Sequence, residues 1–350
     1  MNIDKTEAYR TSLVVKRTGL RAISLGLSLF CAFLATAQTK NSEPQLLSLQ
    51  GDLSPIHDPT IIRQGGTYYV FSTNWFQRKL LPIFCSPDLQ QWKFCGNVFD
   101  GVPEWALKEV PGGRGIWAPD ISHVQGEYRL YYAVSTFGSR HSVIGLSTNK
   151  TLDVTDPEYK WVDKGMVVRS TNEDDFNAID PTYVQDASGN GWLAFGSFWG
   201  GIKMRRLDET TGKLSERDTS LYSLASRRPL EPPAIEAPAI IRHDKHYYLF
   251  VSFGFCCRGK ESTYKILVGR ADKITGPYLD RNGKAMMQGG GTLLMESSSA
   301  WRGPGGQSVF RDASQYLMAL HSYDAQTGRA NLMISTIVWE NGWPKAAVLP

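Results

Sequence analysis

Ile56-His57-Asp58-Pro59-Thr60-Ile61-Ile62 is a phrase that the chain says again four times. Ile116-Trp117-Ala118-Pro119-Asp120-Ile121 is the second statement, Ala178-Ile179-Asp180-Pro181-Thr182-Tyr183 the third, and Ile235-Glu236-Ala237-Pro238-Ala239-Ile240 the fourth. A degenerate fifth, Gly305-Gly306-Gln307-Ser308-Val309-Phe310, lacks the proline. Measured between Pro59, Pro119, Pro181, Pro238 and Gln307, the phrase recurs roughly every 60 residues, a period long enough for one multi-stranded unit. After each phrase come a turn and an aromatic, β-rich run such as Tyr68-Tyr69-Val70-Phe71 or Trp192-Leu193-Ala194-Phe195. Further apolar runs follow at Leu81–Cys85, Val143–Ser147, Ile202–Leu207, Tyr264–Gly269 and Leu332–Ser335. Fourth strands are suggested at Trp92–Cys95 and Trp161–Asp163. Four short antiparallel strands per unit make a propeller blade, so the pattern predicts an all-β, five-bladed β-propeller. Pro103 to Val110 has room for one helical turn and no other segment has helical periodicity.

The first segment of the chain reads differently. Lys5, Arg10, Lys16, Arg17 and Arg21 precede an apolar run from Ala22 to Leu34, which ends in the small-residue sequence Ala35-Thr36-Ala37. That order predicts a secretory signal peptide over residues 1–37, with residues 38–350 forming a single propeller domain. The apolar run is shorter than the ~20 residues of a membrane-spanning helix. A secreted or periplasmic monomer with no membrane attachment after cleavage is therefore expected. The 350 residues are 11% aromatic and 21% charged, a composition of packed rather than disordered chains. A net charge of +4, with no basic run, gives no support to nucleic-acid binding. Cys85 and Cys95 stand close enough for a local disulfide in an oxidising compartment, while adjacent Cys256 and Cys257 leave a vicinal disulfide or two thiols open.

In a propeller, the first strand of each unit starts at one rim of the axial channel and the second strand returns to it. The phrases should therefore face the residues that end the second strands: Trp75, Phe137-Gly138, Ser197-Phe198-Trp199, Phe253 and Tyr323. Three of the five phrases carry a carboxylate just ahead of the proline: Asp58 and Asp180 in one slot, Glu236 one residue earlier. A single Asp before proline is an ordinary turn residue. Three acids at one channel mouth, ringed by aromatic side chains, suit the cleavage of glycosidic bonds, which needs carboxyl groups of opposite protonation state. No Gly-x-Ser-x-Gly elbow, P-loop, dinucleotide fingerprint or His-Glu-x-x-His pair points elsewhere.

His57-Asp58-Pro59, Asn177-Ala178-Ile179-Asp180-Pro181 and Ile235-Glu236-Ala237-Pro238 resemble the three signature segments of glycoside hydrolase family 43. Gly196-Ser197-Phe198-Trp199-Gly200-Gly201-Ile202, Phe255-Cys256-Cys257-Arg258-Gly259 and Gly303-Pro304-Gly305-Gly306-Gln307-Ser308-Val309 are similar to segments of its endo-1,5-α-L-arabinanases. The resemblance runs from about Asp58 to Trp343 and implies an inverting hydrolase of arabinan, a pectin side chain. It implies Asp58 as general base, Glu236 as general acid and Asp180 as the group that raises the pKa of Glu236 and orients it. It places Asn177, Ala178, Ile179, Asp180, Gly138, Ser197, Phe198 and Trp199 along the central subsites, to which the sequence position of Trp117 and Phe137 adds two stacking platforms. It also implies a calcium ion in the axial channel at His321, the imidazole that blade five carries where other blades have Ser72, Ser135 and Ser252. Calcium prefers oxygen ligands, so one histidine with waters would be an unusual site. No organic cofactor is implied. The rivals are an exo-acting arabinofuranosidase or β-xylosidase of the same family, and a carbohydrate-binding propeller without catalysis.

Overall fold

Each repeated phrase opens a sheet, and the sheets follow one another around a ring. The computed structural model describes residues 43–73 and 80–350. The expected signal peptide and Trp75 lie outside the described residues. Blade one contains His57–Gln64, Thr67–Thr73, Leu80–Ser86 and Gln91–Phe99; blade two contains Trp117–Val124, Glu127–Val134, Ser142–Asn149 and Val162–Ser170. Blade three is shorter, with Thr182–Gln185, Gly191–Phe195, Ile202–Arg206 and Tyr222–Ala225. Blade four uses Ile235–His243, His246–Phe253, Lys265–Ala271 and Thr292–Met295. Blade five closes with Trp301–Asp312, Gln315–Asp324, Ala330–Glu340 and Trp343–Ala346. These five sheets are up-and-down and antiparallel, which is the expected five-bladed propeller. Blade one gains a two-residue strand, Gln50–Gly51, paired in parallel with Gln91–Trp92. The expected helical turn is Glu104–Glu109.

The second strands are buried on both faces, which explains why they read as continuous apolar runs rather than alternating ones. Tight hairpins join first to second strands. At Gln125-Gly126 both residues have positive φ (50 and 77), the twist that a two-residue hairpin requires. Adjacent blades meet through apolar clusters, for example Phe71 with Leu130 between blades one and two, and Val70 with Leu317 between blades one and five. Each such fully buried side chain contributes about 1.5–3 kcal/mol. The segment before blade one adds a seam to blade five: Leu47 N–H donates to Ile334 O at 2.8 Å and Leu332 N–H to Leu53 O at 2.9 Å. Disulfides join Cys85 to Cys95 and Cys256 to Cys257. Among the described residues no helix is long and apolar enough to cross a membrane.

Candidate active site

The slot before each proline is left-handed in every blade: φ is 47 at Asp58, 40 at Ala118, 55 at Asp180 and 52 at Ala237. Gly306, before the proline-equivalent Gln307, has φ 56. A non-glycine residue there costs about 1–3 kcal/mol, and a residue before proline normally prefers extended backbone. The turn breaks the register of the first strand with a bulge in blades one, two, four and five. It aims the slot residue across the channel mouth instead of along the sheet face. Gly306 is required on a second count, because a β-carbon would collide with Asp58 Oδ1 and the His321 ring.

Asp58, Asp180 and Glu236 come together at the bottom of one groove of about 620 Å³, a size ordinary for ligand sites. Thr73 Oγ1 donates to Asp58 Oδ2 at 2.7 Å and itself accepts the N–H of Ala118 at 2.7 Å. Asp58 keeps 24% of its side chain exposed. Burial nevertheless pushes its pKa up to about 7, opposed by the Thr73 bond and reinforced by the charge of Glu236. Asp180 Oδ2 accepts the N–H of Ala237 at 3.0 Å. Glu236 is 8% exposed; Ser197 Oγ donates to its Oε2 at 2.6 Å and the Tyr264 hydroxyl donates to Oε1. Burial raises Asp180 and Glu236 above ordinary carboxylates, and repulsion between neighbouring acids raises Asp180 further. The two cannot both ionise cheaply.

Most expected groove residues are there: Asn177, Ile179, Ser197, Phe198, Trp199 and Gly138 line it. Asn177 is fixed from behind, its Oδ1 accepting from Ser142 Oγ at 2.6 Å. Ala178 is a correction. It is fully buried among the apolar residues between blades two and three, and its N–H donates to Ser170 Oγ. Its neighbours on either side reach the groove while its own methyl turns away. Trp117 and Phe137 lie 5.0 Å apart at the rim, with Phe137 70% exposed. Such exposure is not blade packing. Phe253 and Tyr323 are buried rather than rim residues.

Two side chains close to these acids escaped the sequence reading. Tyr264 begins the approach to a strand and carries no motif signal; only the fold brings its hydroxyl to Glu236. Asp120, on the far side of Pro119, is a fourth carboxylate at these phrases. It lines the narrow channel beneath the groove, where burial pushes it up to about 7 although Tyr183 N–H donates to it at 2.8 Å.

His321 is completely buried and held neutral by that burial and by neighbouring His57. Its Nδ1 accepts the Asp58 N–H at 3.1 Å, and Nε2 has no hydrogen-bond partner among the described residues. That orphaned nitrogen fits one ligand position of a cation. Among the described residues no group of three His, Cys, Asp or Glu side chains gathers to complete a metal site, so water would supply the rest.

An acid-lined groove across the mouth of a β-propeller defines a glycoside hydrolase. The profile of Glycosyl hydrolases family 43 matches residues 54–344, and the chain belongs to that family. It is 40% identical over 331 residues to the Extracellular endo-alpha-(1->5)-L-arabinanase 1 of Bacillus subtilis (strain 168), covering 94% of this chain and 98% of that one. It is also 40% identical over 302 residues to the Extracellular exo-alpha-(1->5)-L-arabinofuranosidase ArbA of Cellvibrio japonicus (strain Ueda107), covering 83% and 86%. The solved structure of a Cellvibrio cellulosa alpha-L-arabinanase complexed with arabinohexaose is similar with a TM-score of 0.80 at 38% identity, over 85% of this chain and 96% of that one.

Proposed function

We propose that this chain is an exported enzyme that hydrolyses internal α-1,5-L-arabinofuranosidic bonds of arabinan with inversion. The observation that carries the reading is the different company kept by three carboxylates in one groove. Asp180 accepts from a main-chain N–H, a donor that cannot turn away, which anchors negative charge on it. Glu236 is held by two hydroxyls, which rotate to accept as readily as they donate, so it tolerates a proton. Repulsion between the acids pushes Asp180 further up than Glu236, but the fixed N–H at Asp180 opposes its protonation, and on that balance the shared proton is assigned to Glu236, the general acid. Asp180 acts through it as a positioning residue. Asp58, with an open side toward the groove and a pKa near neutrality, takes a proton from water as that water attacks the anomeric carbon. Glu236 delivers its proton to the departing oxygen as the glycosidic bond breaks, and no covalent intermediate forms. Trp117 and Phe137 offer ring faces to the C–H faces of the furanose, and Asn177, Ser197, Phe198, Trp199 and Gly138 border the chain beside it.

A calcium ion would be held by His321 Nε2. Held so, His321 would carry its ring hydrogen on Nδ1, which lies 3.6 Å from Asp58 Oδ1. When bound, the cation supplies positive potential that favours the Asp58 carboxylate. His321→Gln should then lose any metal that co-purifies with the parent, read by elemental analysis; equal metal content in both would remove His321 as the ligand. Residues 1–37 are proposed as a cleavable signal peptide, supported by the extracellular naming of both relatives, and an intact amino terminus on the exported protein would contradict this.

The substrate reading is tested by chromatography of products over time from linear α-1,5-arabinan. Oligomers of mixed length at early times are expected. Arabinose or one fixed short product from the start would place the chain with its exo-acting relative. Binding without products would leave a carbohydrate-binding propeller.

A further inference from the structure

The groove contains a feature that the acid–base chemistry does not use. Cys256 and Cys257, joined to each other, both line its blade-four side. A disulfide between adjacent residues closes almost no loop, so it restrains the unfolded chain very little and adds little to global stability. Its effect is local. The bonded pair sits at the tip of the segment between His246–Phe253 and Lys265–Ala271, with Cys257 exposed and held at φ 64. The tip is pinned on all sides. Cys257 N–H donates to the Tyr323 hydroxyl at 2.7 Å, Thr263 N–H to Phe255 O at 2.9 Å, and Arg258 N–H to Ser262 Oγ at 3.0 Å. The Arg258 guanidinium lies 3.9 Å over the Phe255 ring, and Phe255 lies 5.8 Å from Phe198 on the groove floor. The paired sulfurs thus prolong an aromatic surface with a rigid, polarisable, donor-free plate.

We propose that the Cys256–Cys257 disulfide is a sugar-contacting wall of the groove, and that its oxidised form determines how tightly the enzyme holds an arabinan chain. The proposal rests on the arabinan reading above. Reduction replaces one S–S bond by two S–H bonds. With a water-soluble phosphine the two electrons come from phosphorus, and water supplies the two protons and the oxygen of the phosphine oxide. The separated thiols free Cys257 from its left-handed turn, and the plate is lost.

The test measures kcat and KM on linear arabinan before and after phosphine treatment. It uses the parent and a Cys85→Ser/Cys95→Ser variant, with thiol positions assigned by mass spectrometry and folding followed by near-ultraviolet circular dichroism. Opening of Cys256–Cys257 should raise KM about 3–10-fold with kcat nearly unchanged, the scale of one lost sulfur contact. Reoxidation should restore it, and Cys256→Ser/Cys257→Ser should have the raised KM without responding to phosphine. An unchanged KM with the thiols demonstrably open overturns the proposal. So does a parallel fall in kcat with loss of the dichroism signal, which would mark a structural role. An active parent indifferent to reduction sinks this inference alone, whereas a parent inert toward arabinan sinks the substrate reading and takes the inference with it.

Discussion

Asp58 in blade one and Ala118 in blade two occupy one slot, before the same proline, with φ of 47 and 40. Asp180 and Ala237 repeat the pair in blades three and four, with φ of 55 and 52. Alanine gains nothing from a left-handed turn that costs about 1–3 kcal/mol, so the turn belongs to the architecture of the channel rim and is older in logic than the chemistry. The alanine blades still take part. Ala118 N–H reaches Asp58 through Thr73, and Ala237 N–H binds Asp180 directly. Blades one and three, whose slot holds an aspartate, are each thereby served by the main chain of the blade that follows. Aspartate and alanine slots are acceptor and donor halves of one arrangement.

The hardest blow to this comparison removes the acids themselves. Asp58→Asn and Glu236→Gln should each lower kcat about 10²–10⁴-fold, as loss of a general base or acid does. Thermal unfolding should stay near the parent, since each amide keeps the shape of the acid it replaces. Near-parental turnover in either variant would mean that the replaced acid is structural, like the alanines of the other slots. The reciprocal change, Ala118→Asp, places another carboxylate at a slot that is 8% exposed. It should destabilise the fold by about 2–4 kcal/mol without raising activity; an unaltered melting curve would show that the alanine slots are not closed to charge.

The relay between the halves is sharpened by pH. The rate should rise as Asp58 loses its proton, at a pH up to about 7, and fall again as Glu236 deprotonates above its raised pKa. Thr73→Val removes the bond that opposes the rise at Asp58. A weaker carboxylate anchor means a higher pKa, so the acid limb of kcat/KM should move up by about one pH unit, the worth of one bond to a charged group. A limb that stays in place would take Thr73 out of the relay. Phe137→Ala is the mildest change. Its exposed ring should cost about 3–10-fold in KM through lost contact area, with melting unchanged, and an unaffected KM would leave Trp117 without its expected companion.

The repeated phrase made the five-bladed fold and the trio of acids legible in the sequence, because blade period and slot position are properties of local order. Side-chain direction at the rim is not legible there. Ala178 lies between two groove residues and points into the core, and Asp120 follows a proline that masks its kinship with Asp58. Tyr264 belongs to the acid's surroundings only because blade four starts its third strand at the same rim as its first, with the second strand between them. Cys256 and Cys257 could be read as thiols or as a bond until a tight loop brought the sulfurs together over the groove.

The sequence by itself determined the number of blades, the order of their strands and the identity of the three acids, since these follow from what repeats along the chain. The tertiary structure alone decided which acid meets a fixed N–H, which meets two hydroxyls and which keeps an open side, and the proposed division into base, acid and positioning residue rests on that. Protonation depends on burial and on partners contributed by other blades, and no local pattern encodes a neighbour that arrives from elsewhere in the ring.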